Sequence, residues 1–350
     1  MCALEITAPP VTGQSIAEFF GPRSAAVDAG GATIRGGLAE LGRRGLPDAD
    51  IADSIEIVSS VARHDMATAF SAWAHRMVID YVSLAPAASA ARAILPDLAS
   101  AETLGATALA AGTAHVLAGA PLPVSFRTAG DDIILDGRIP WASNLIAPFV
   151  VVSAAVDAED PGRAIVVAIA SGTPGLDPAP YPDLLALGGT GSTTVRLEGV
   201  RVPRSWVISD DLQGFVTTVL ARFLLLQGAF CSGLANRSLE EASANLGPLG
   251  ESIRPGLERV AAEVVDADDA SVRLASDSIA GRPIPNAELL RLRLRWSGLT
   301  AEAVHLELAT AGGRGYLSSS PTARRVREAA FLPIQAPTEV LLRWLLSRSA

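Results

Sequence analysis

Between Pro121 and Pro203 the chain changes its period, and that change restricts the possible folds more than any other feature. From about Ser15 to Ala118, apolar residues recur at three- and four-residue spacing. Ile51–Ala62 and Met66–Val82 are the clearest cases, and the Ala-rich Leu98–Ala118 continues the helical style. Within the altered stretch, Asp131–Leu135 reads as a strand closed by an Asp136-Gly137 turn. Phe149–Ala155 and Ala164–Ala170 read as buried β-branched strands, and Thr193–Pro203 as a half-exposed one, with loop chemistry over Ser171–Asp183. Helical spacing returns at about Leu212 and gives Phe215–Asn245, Ile253–Ser278, Asn286–Ala311 and a last segment after Pro337. The predicted fold class is α+β: an N-terminal helical domain (1–118), a middle antiparallel β domain (119–208) and a C-terminal four-helix bundle (209–350).

Composition excludes several function classes. Hydrophobic residues make up 49% of the chain but aromatics only 5%, so the apolar mass is Ala, Leu and Val, suited to helix packing. Gly214–Ala235 approaches the length of a membrane span, yet Arg222 and Gln227 sit in its middle, which predicts a buried helix and no membrane insertion. A net charge of −9 without a basic patch argues against a nucleic-acid partner. All 28 cations are arginine, which rules out a lysine Schiff base or a P-loop lysine. His64, His75, His115 and His305 are scattered and form no compact ligand pattern, so no metal is expected. Cys2 and Cys231 form no pair, and Met1–Glu5 lacks the features of a signal peptide; a cytoplasmic protein is the expectation.

Three short segments carry chemistry when taken in order: Leu135–Asn144, containing Trp141-Ala142-Ser143; Gly188–Thr194 followed by Val200–Pro203; and Ala311–Tyr316, containing Gly312 and Gly313, followed by Arg327-Glu328-Ala329. Singly they are ordinary. A glycine cluster between helices lets backbone N–H groups approach a phosphate or ribose, but it also stops helices. A tryptophan at a strand end is usually core, and Ser143-Asn144 can cap a turn. Together their order and spacing resemble the acyl-CoA dehydrogenase family. The resemblance implies bound FAD, with Trp141 beside the flavin ring, Ser143 bonding it near N5, and Gly312, Gly313, Thr338 and Glu339 around the rest. It also implies an acyl-CoA or other small apolar substrate and a homo-oligomer, or a heteromer with a homologous subunit.

The chain departs from that pattern where the chemistry lies. In the family a glutamate removes the α-proton of an acyl-CoA thioester while hydride leaves to the flavin. The corresponding position here is Gln335, or Ala336 when counted forward from Arg327. The alternative site on the first bundle helix is occupied by Gln227. A neutral amide hydrogen-bonds a ligand but does not accept a proton as a base. Further family contacts are missing: Asn245-Leu246-Gly247 lacks the expected arginine before it, and Ala309 stands where a glutamine precedes the glycines. Glu339 is a carboxylate near the site, though a helix start favours one regardless. Arg63-His64-Asp65 and His75-Arg76 read as helix-face or core residues, and acidic Glu258–Asp269 as an exposed face. Three readings result: a flavin-dependent dehydrogenase acting on the CH–CH group of an acyl-CoA, a flavin monooxygenase on the same fold, or a non-catalytic partner subunit.

Overall fold

The computed structural model describes residues 13 to 348. Cys2 and the Met1–Glu5 segment therefore lie outside the described residues. The N-terminal helices are α1 (Gly13–Phe20), α2 (Ser24–Asp28), α3 (Arg35–Arg43), α4 (Ile51–Ala62), α5 (Met66–Ser83) and α6 (Leu95–Ala99). Aspartates begin the two that carry most of the core: Asp50 caps α4 by accepting from Asp53 N, and Asp65 caps α5 by accepting from Thr68 N. Nearly all of α5 is buried, so it serves as the central post between the sheet and the bundle.

The predicted helical run Leu98–Ala118 is interrupted. Strand β1 (Leu104–Ala108) precedes the short helix α7 (Ala110–Ala118), and β1 joins the sheet by pairing parallel with β4 (Phe149–Asp157). Leu104-Gly105-Ala106-Thr107-Ala108 has weak strand propensity, and its burial against α5 overrides that preference. The other strands are β2 (Val124–Ala129), β3 (Asp132–Ala142), β5 (Ala164–Ala170), β6 (Leu176–Pro178), β7 (Thr193–Pro203) and β8 (Val207–Ser209). They run in the order β6-β7-β3-β2-β4-β5-β8. The pairings are antiparallel except β1 with β4 and β2 with β4, which are parallel and share one edge of β4, so the sheet is mixed.

The expected Asp136-Gly137 turn does not form. β3 continues through it as a bulge, with its register against β7 shifting between Leu135 and Gly137. Gly137 has φ +131°, and a Cβ there would lie 2.3 Å from Pro123 O, so the dipeptide marks a close backbone approach within a strand and not its end.

After the sheet come α8 (Leu212–Ala244), α9 (Arg254–Ile279) and α10 (Asn286–Ala311), then two short helices, α11 (Pro321–Ala329) and α12 (Glu339–Ser347), which share the place of the fourth bundle member. α8 has 33 residues and is long and apolar enough to cross a membrane, but 72% of its most apolar window is buried inside the fold. It packs against α10 through Trp296 and crosses α4 closely enough that a Cβ on Gly233 would lie 2.1 Å from Ser59 O.

Candidate functional site

Gln227 and Gln335, the two glutamines at the candidate base positions, meet inside the bundle. Gln227, in mid-α8, and Gln335, in the turn between α11 and α12, are both buried. Between them lies Arg293 of α10, itself 1% exposed. Its Nε donates to Gln227 Oε1 at 2.9 Å, and its Nη2 donates to Gln335 Oε1 at 2.9 Å and to Leu332 O at 3.1 Å. Gln227 Nε2 in turn donates to Ala336 O at 2.9 Å. Both amide oxygens at the candidate base positions are thus spent on one guanidinium. Burial lowers the pKa of that guanidinium, yet a guanidinium stays charged at ordinary pH. Nothing in the sequence pattern pointed to Arg293, because an arginine in the Arg-rich stretch Arg291–Arg295 reads as a solvated helix face.

An aromatic cluster lies over this centre. Phe223 and Phe230 flank Gln227 on α8, and they pack with Phe70 and Trp73 of α5 at ring separations of 5.0 to 6.2 Å. Phe331, four residues before Gln335, meets Phe70 at 4.9 Å. Two open clefts of about 400 and 450 Å³ lie elsewhere, at Pro86–Ser209 contacts and around His115, and neither is lined by Gln227, Arg293 or Gln335.

Trp141, the second-last residue of β3, has its side chain at the surface, 55% exposed, while Ala142, which ends the strand, is buried. Ser143 Oγ lies 2.7 Å from Ser192 Oγ, which lies 2.7 Å from Thr190 Oγ1, and Thr190 Oγ1 donates to Leu187 O at 2.7 Å. Each hydroxyl has one proton, so the chain runs in one direction: Ser143 donates to Ser192 and Ser192 to Thr190, leaving Ser143 Oγ as an acceptor toward its open side. Asn144 is no mere turn cap. It is fully buried at φ +66°, and its Nδ2 donates to Ser71 O of α5 and to Gly105 O of β1, each at 2.9 Å. Because Ser71 neighbours Phe70, this anchor sets the Trp141–Ser143 segment at the level of α5 where the aromatic cluster and the glutamines lie.

The glycine turn does not join that group. Arg314 Nη2 donates to Asn245 Oδ1 at 3.3 Å, which places Gly312-Gly313 by the C-terminal cap of α8. Gln227 is eighteen residues back along the same helix, a separation of about 27 Å at 1.5 Å per residue. Gly312 adopts φ +59° and ψ −146°, a conformation open essentially to glycine alone, and a Cβ on Gly312 or Gly313 would meet nothing within 4 Å. Thr338 caps α12 by accepting from Leu341 N, and Glu339 at the helix start is paired with Arg343. Glu339 N also donates to Pro333 O at 2.8 Å, so both residues belong to the Gln335 turn.

The remaining sequence candidates have structural partners. His75 Nδ1 accepts from Gly105 N and Nε2 donates to Leu98 O, each at 2.8 Å, and burial pushes its pKa down to about 4, so it is a neutral clamp between α5 and β1. Arg76 pairs with Asp80, Arg63 with Glu240, and Asp65 caps α5. The Glu258–Asp269 face is not wholly solvated: Asp268 accepts from Ser232 Oγ at 2.7 Å, and burial raises its pKa. No group of three or more metal-ligating side chains occurs among the described residues.

Judged on these observations, the residues fit a flavin. An exposed indole suits the ring, and an open glycine turn suits a ribose or phosphate. No protein-family model matches the chain. It is 26% identical over 269 residues to the probable acyl-CoA dehydrogenase YngJ of Bacillus subtilis (strain 168), covering 73% of this chain and 70% of that protein. Its fold matches a glutaryl-coenzyme A dehydrogenase in complex with glutaryl-CoA at a TM-score of 0.86 and 18% identity, covering 96% of this chain and 92% of the other. Butyryl-CoA dehydrogenase from Megasphaera elsdenii matches with the same score and identity, covering 96% and 95%. The chain thus has the fold of the acyl-CoA dehydrogenases and is similar in sequence to one of them.

Proposed function

We propose that this chain is a flavin-scaffold subunit that works beside a catalytically competent homologue and does not itself remove the α-proton of an acyl-CoA thioester. The observation that carries this reading is Arg293, which bonds the side-chain oxygens of both Gln227 and Gln335. Dehydrogenation at a CH–CH group requires a base at one of these places, and an amide held by a buried cation accepts no proton. FAD, when bound, supplies the hydride acceptor for such chemistry. Trp141 offers its ring face to one flavin, and Gly312-Gly313, at the far end of α8, offers backbone N–H groups to a flavin of the neighbouring subunit. The exposed apolar side chains Trp141, Tyr316, Leu317, Ile334 and Val340 also suit coverage by cofactor and a second subunit.

The monooxygenase reading draws on the same Trp141–Ser143 face, because reduced flavin activates oxygen without an α-proton base. One comparison separates the readings. The chain is purified alone and after co-expression with a homologue that carries the glutamate, its visible spectrum is recorded, and acyl-CoA thioesters are added anaerobically. The expected result is flavin held in the co-purified complex and bleached there only when the homologue's glutamate is intact. Bleaching by the chain alone would restore the dehydrogenase reading, and oxygen consumption by the lone flavoprotein with added reductant would favour the monooxygenase.

A further inference from the structure

Other buried arginines of this chain are matched by carboxylates: Arg325 by Glu307, and Arg76 by Asp80. Arg293 is deeper than either and has no carboxylate within ion-pair reach among the described residues. Its three acceptors, Gln227 Oε1, Gln335 Oε1 and Leu332 O, are all neutral. Its Nη1 is buried and donates to no partner among the described residues. Cys231, one turn beyond Gln227, does not offset the charge, because burial raises the thiol's pKa and keeps it neutral. Glu339 exerts a longer-range pull but is bonded to Arg343. A cation surrounded by dipoles alone, with two N–H groups unused, is costly in a protein interior. A single anion at Nη1 relieves both costs.

We propose that Arg293 Nη1 anchors one small monovalent anion, a carboxylate oxygen or a halide, inside the bundle between α8, α10 and the Gln335 turn. The fork geometry makes the contact one-sided, since Nε and Nη2 are already used, and the burial of Nη1 leaves it to a single anionic group. The anion can arrive as a free ion or as the end of a larger ligand. The two glutamines then have a positive role. A glutamate at either position would itself supply the counter-charge and displace the ion. The inference stands on Arg293 and its surroundings and not on the subunit reading above.

The test is thermal melting of the purified full-length chain in formate, chloride, acetate and benzoate, with ionic strength held constant by a bulky organic anion. Formate and chloride should raise Tm saturably, by roughly 2 °C at a tenfold excess over Kd. A response to benzoate or longer carboxylates that exceeds that to formate would assign the site to the end of a larger ligand, and a formate-limited response would assign it to a free ion; either supports the site. Gln335→Glu should melt higher than the unmodified chain and lose the anion response, because it carries its own carboxylate to Arg293. Arg293→Met should lose the response as well, and if it fails to fold, Gln335→Glu still decides. An unmodified chain insensitive to every small anion, or a Gln335→Glu chain that keeps the response, overturns the proposal.

Discussion

The Arg293 contacts change what a single substitution at the base position can accomplish. A carboxylate introduced by Gln335→Glu would stand about one hydrogen bond from a guanidinium, which lowers a carboxylate pKa by about 1 to 3 units and weakens it as a base. Gln335→Glu alone should therefore leave acyl-CoA-dependent flavin bleaching at background. Gln335→Glu combined with Arg293→Met should raise it by on the order of tenfold or more, as measured by anaerobic stopped-flow absorbance. Equal rates for the single and double variants would show that Arg293 does not control the site. Glu328 offers a second residue-level prediction. Burial raises its pKa to about 7, with Asp28 and Asp65 adding to the rise and Arg324 and Arg325 opposing it. Arg324 Nε lies 3.3 Å from Glu328 Oε1 without completing a well-aligned hydrogen bond. The folded state then holds a proton that the unfolded chain releases. This contribution is full below about pH 4.5 and is lost as pH rises through about 7, a change on the order of 3 kcal/mol. Glu328→Gln should flatten the fall of Tm across that window, and parallel melting curves for the two chains would refute the assignment.

At the scale of elements, legibility followed apolar periodicity. Ile51–Ala62, Asn286–Ala311 and Thr193–Pro203 have in the structure the bounds their spacing predicts, because apolar spacing frames each of them even where α10 also buries Arg293 and Glu307. β1 was hidden because its small residues take strand form only through burial against α5 and pairing with β4. α11 was hidden for the opposite reason. Its buried face is Thr322, Arg325, Glu328 and Ala329, so it is held by charge, with Arg325 bonding Glu307 through Nε at 2.8 Å and Nη2 at 2.5 Å. Periodicity has no means of marking a helix buried by its polar side. At the site, Gln227 and Gln335 were visible as departures from a motif, while the arginine that joins them was not, since sequence carries no record of which helix face turns inward when charges are spread around it. Asn144 links three elements and allows a direct check. Asn144→Ala would strand the Ser71 and Gly105 carbonyls and place a Cβ-bearing residue at φ +66° without a compensating side-chain bond. A loss of about 2 to 4 kcal/mol in denaturant unfolding is expected, whereas a loss below about 1 kcal/mol would mean the bonds are dispensable.

For the molecule as a whole, α8 acts as a ruler. Gln227 sits at its middle, and Asn245 at its C-terminal cap holds the glycine turn about 27 Å away along one stiff rod. If the proposed paired assembly holds, the flavin on this chain's Trp141 face and the flavin reached by its glycine turn would be separate molecules. A subunit without a base is then not idle. On that reading it would lend its turn to the site next door, and lesions on its two halves would fall on different flavins. Gly312→Val should then reduce flavin retention or turnover in the neighbour's site, while Trp141→Ala should leave that site intact. Flavin occupancy of the two sites, read after each substitution in the co-purified complex, makes the dependence measurable: this chain would be a structural donor to chemistry that occurs on another polypeptide.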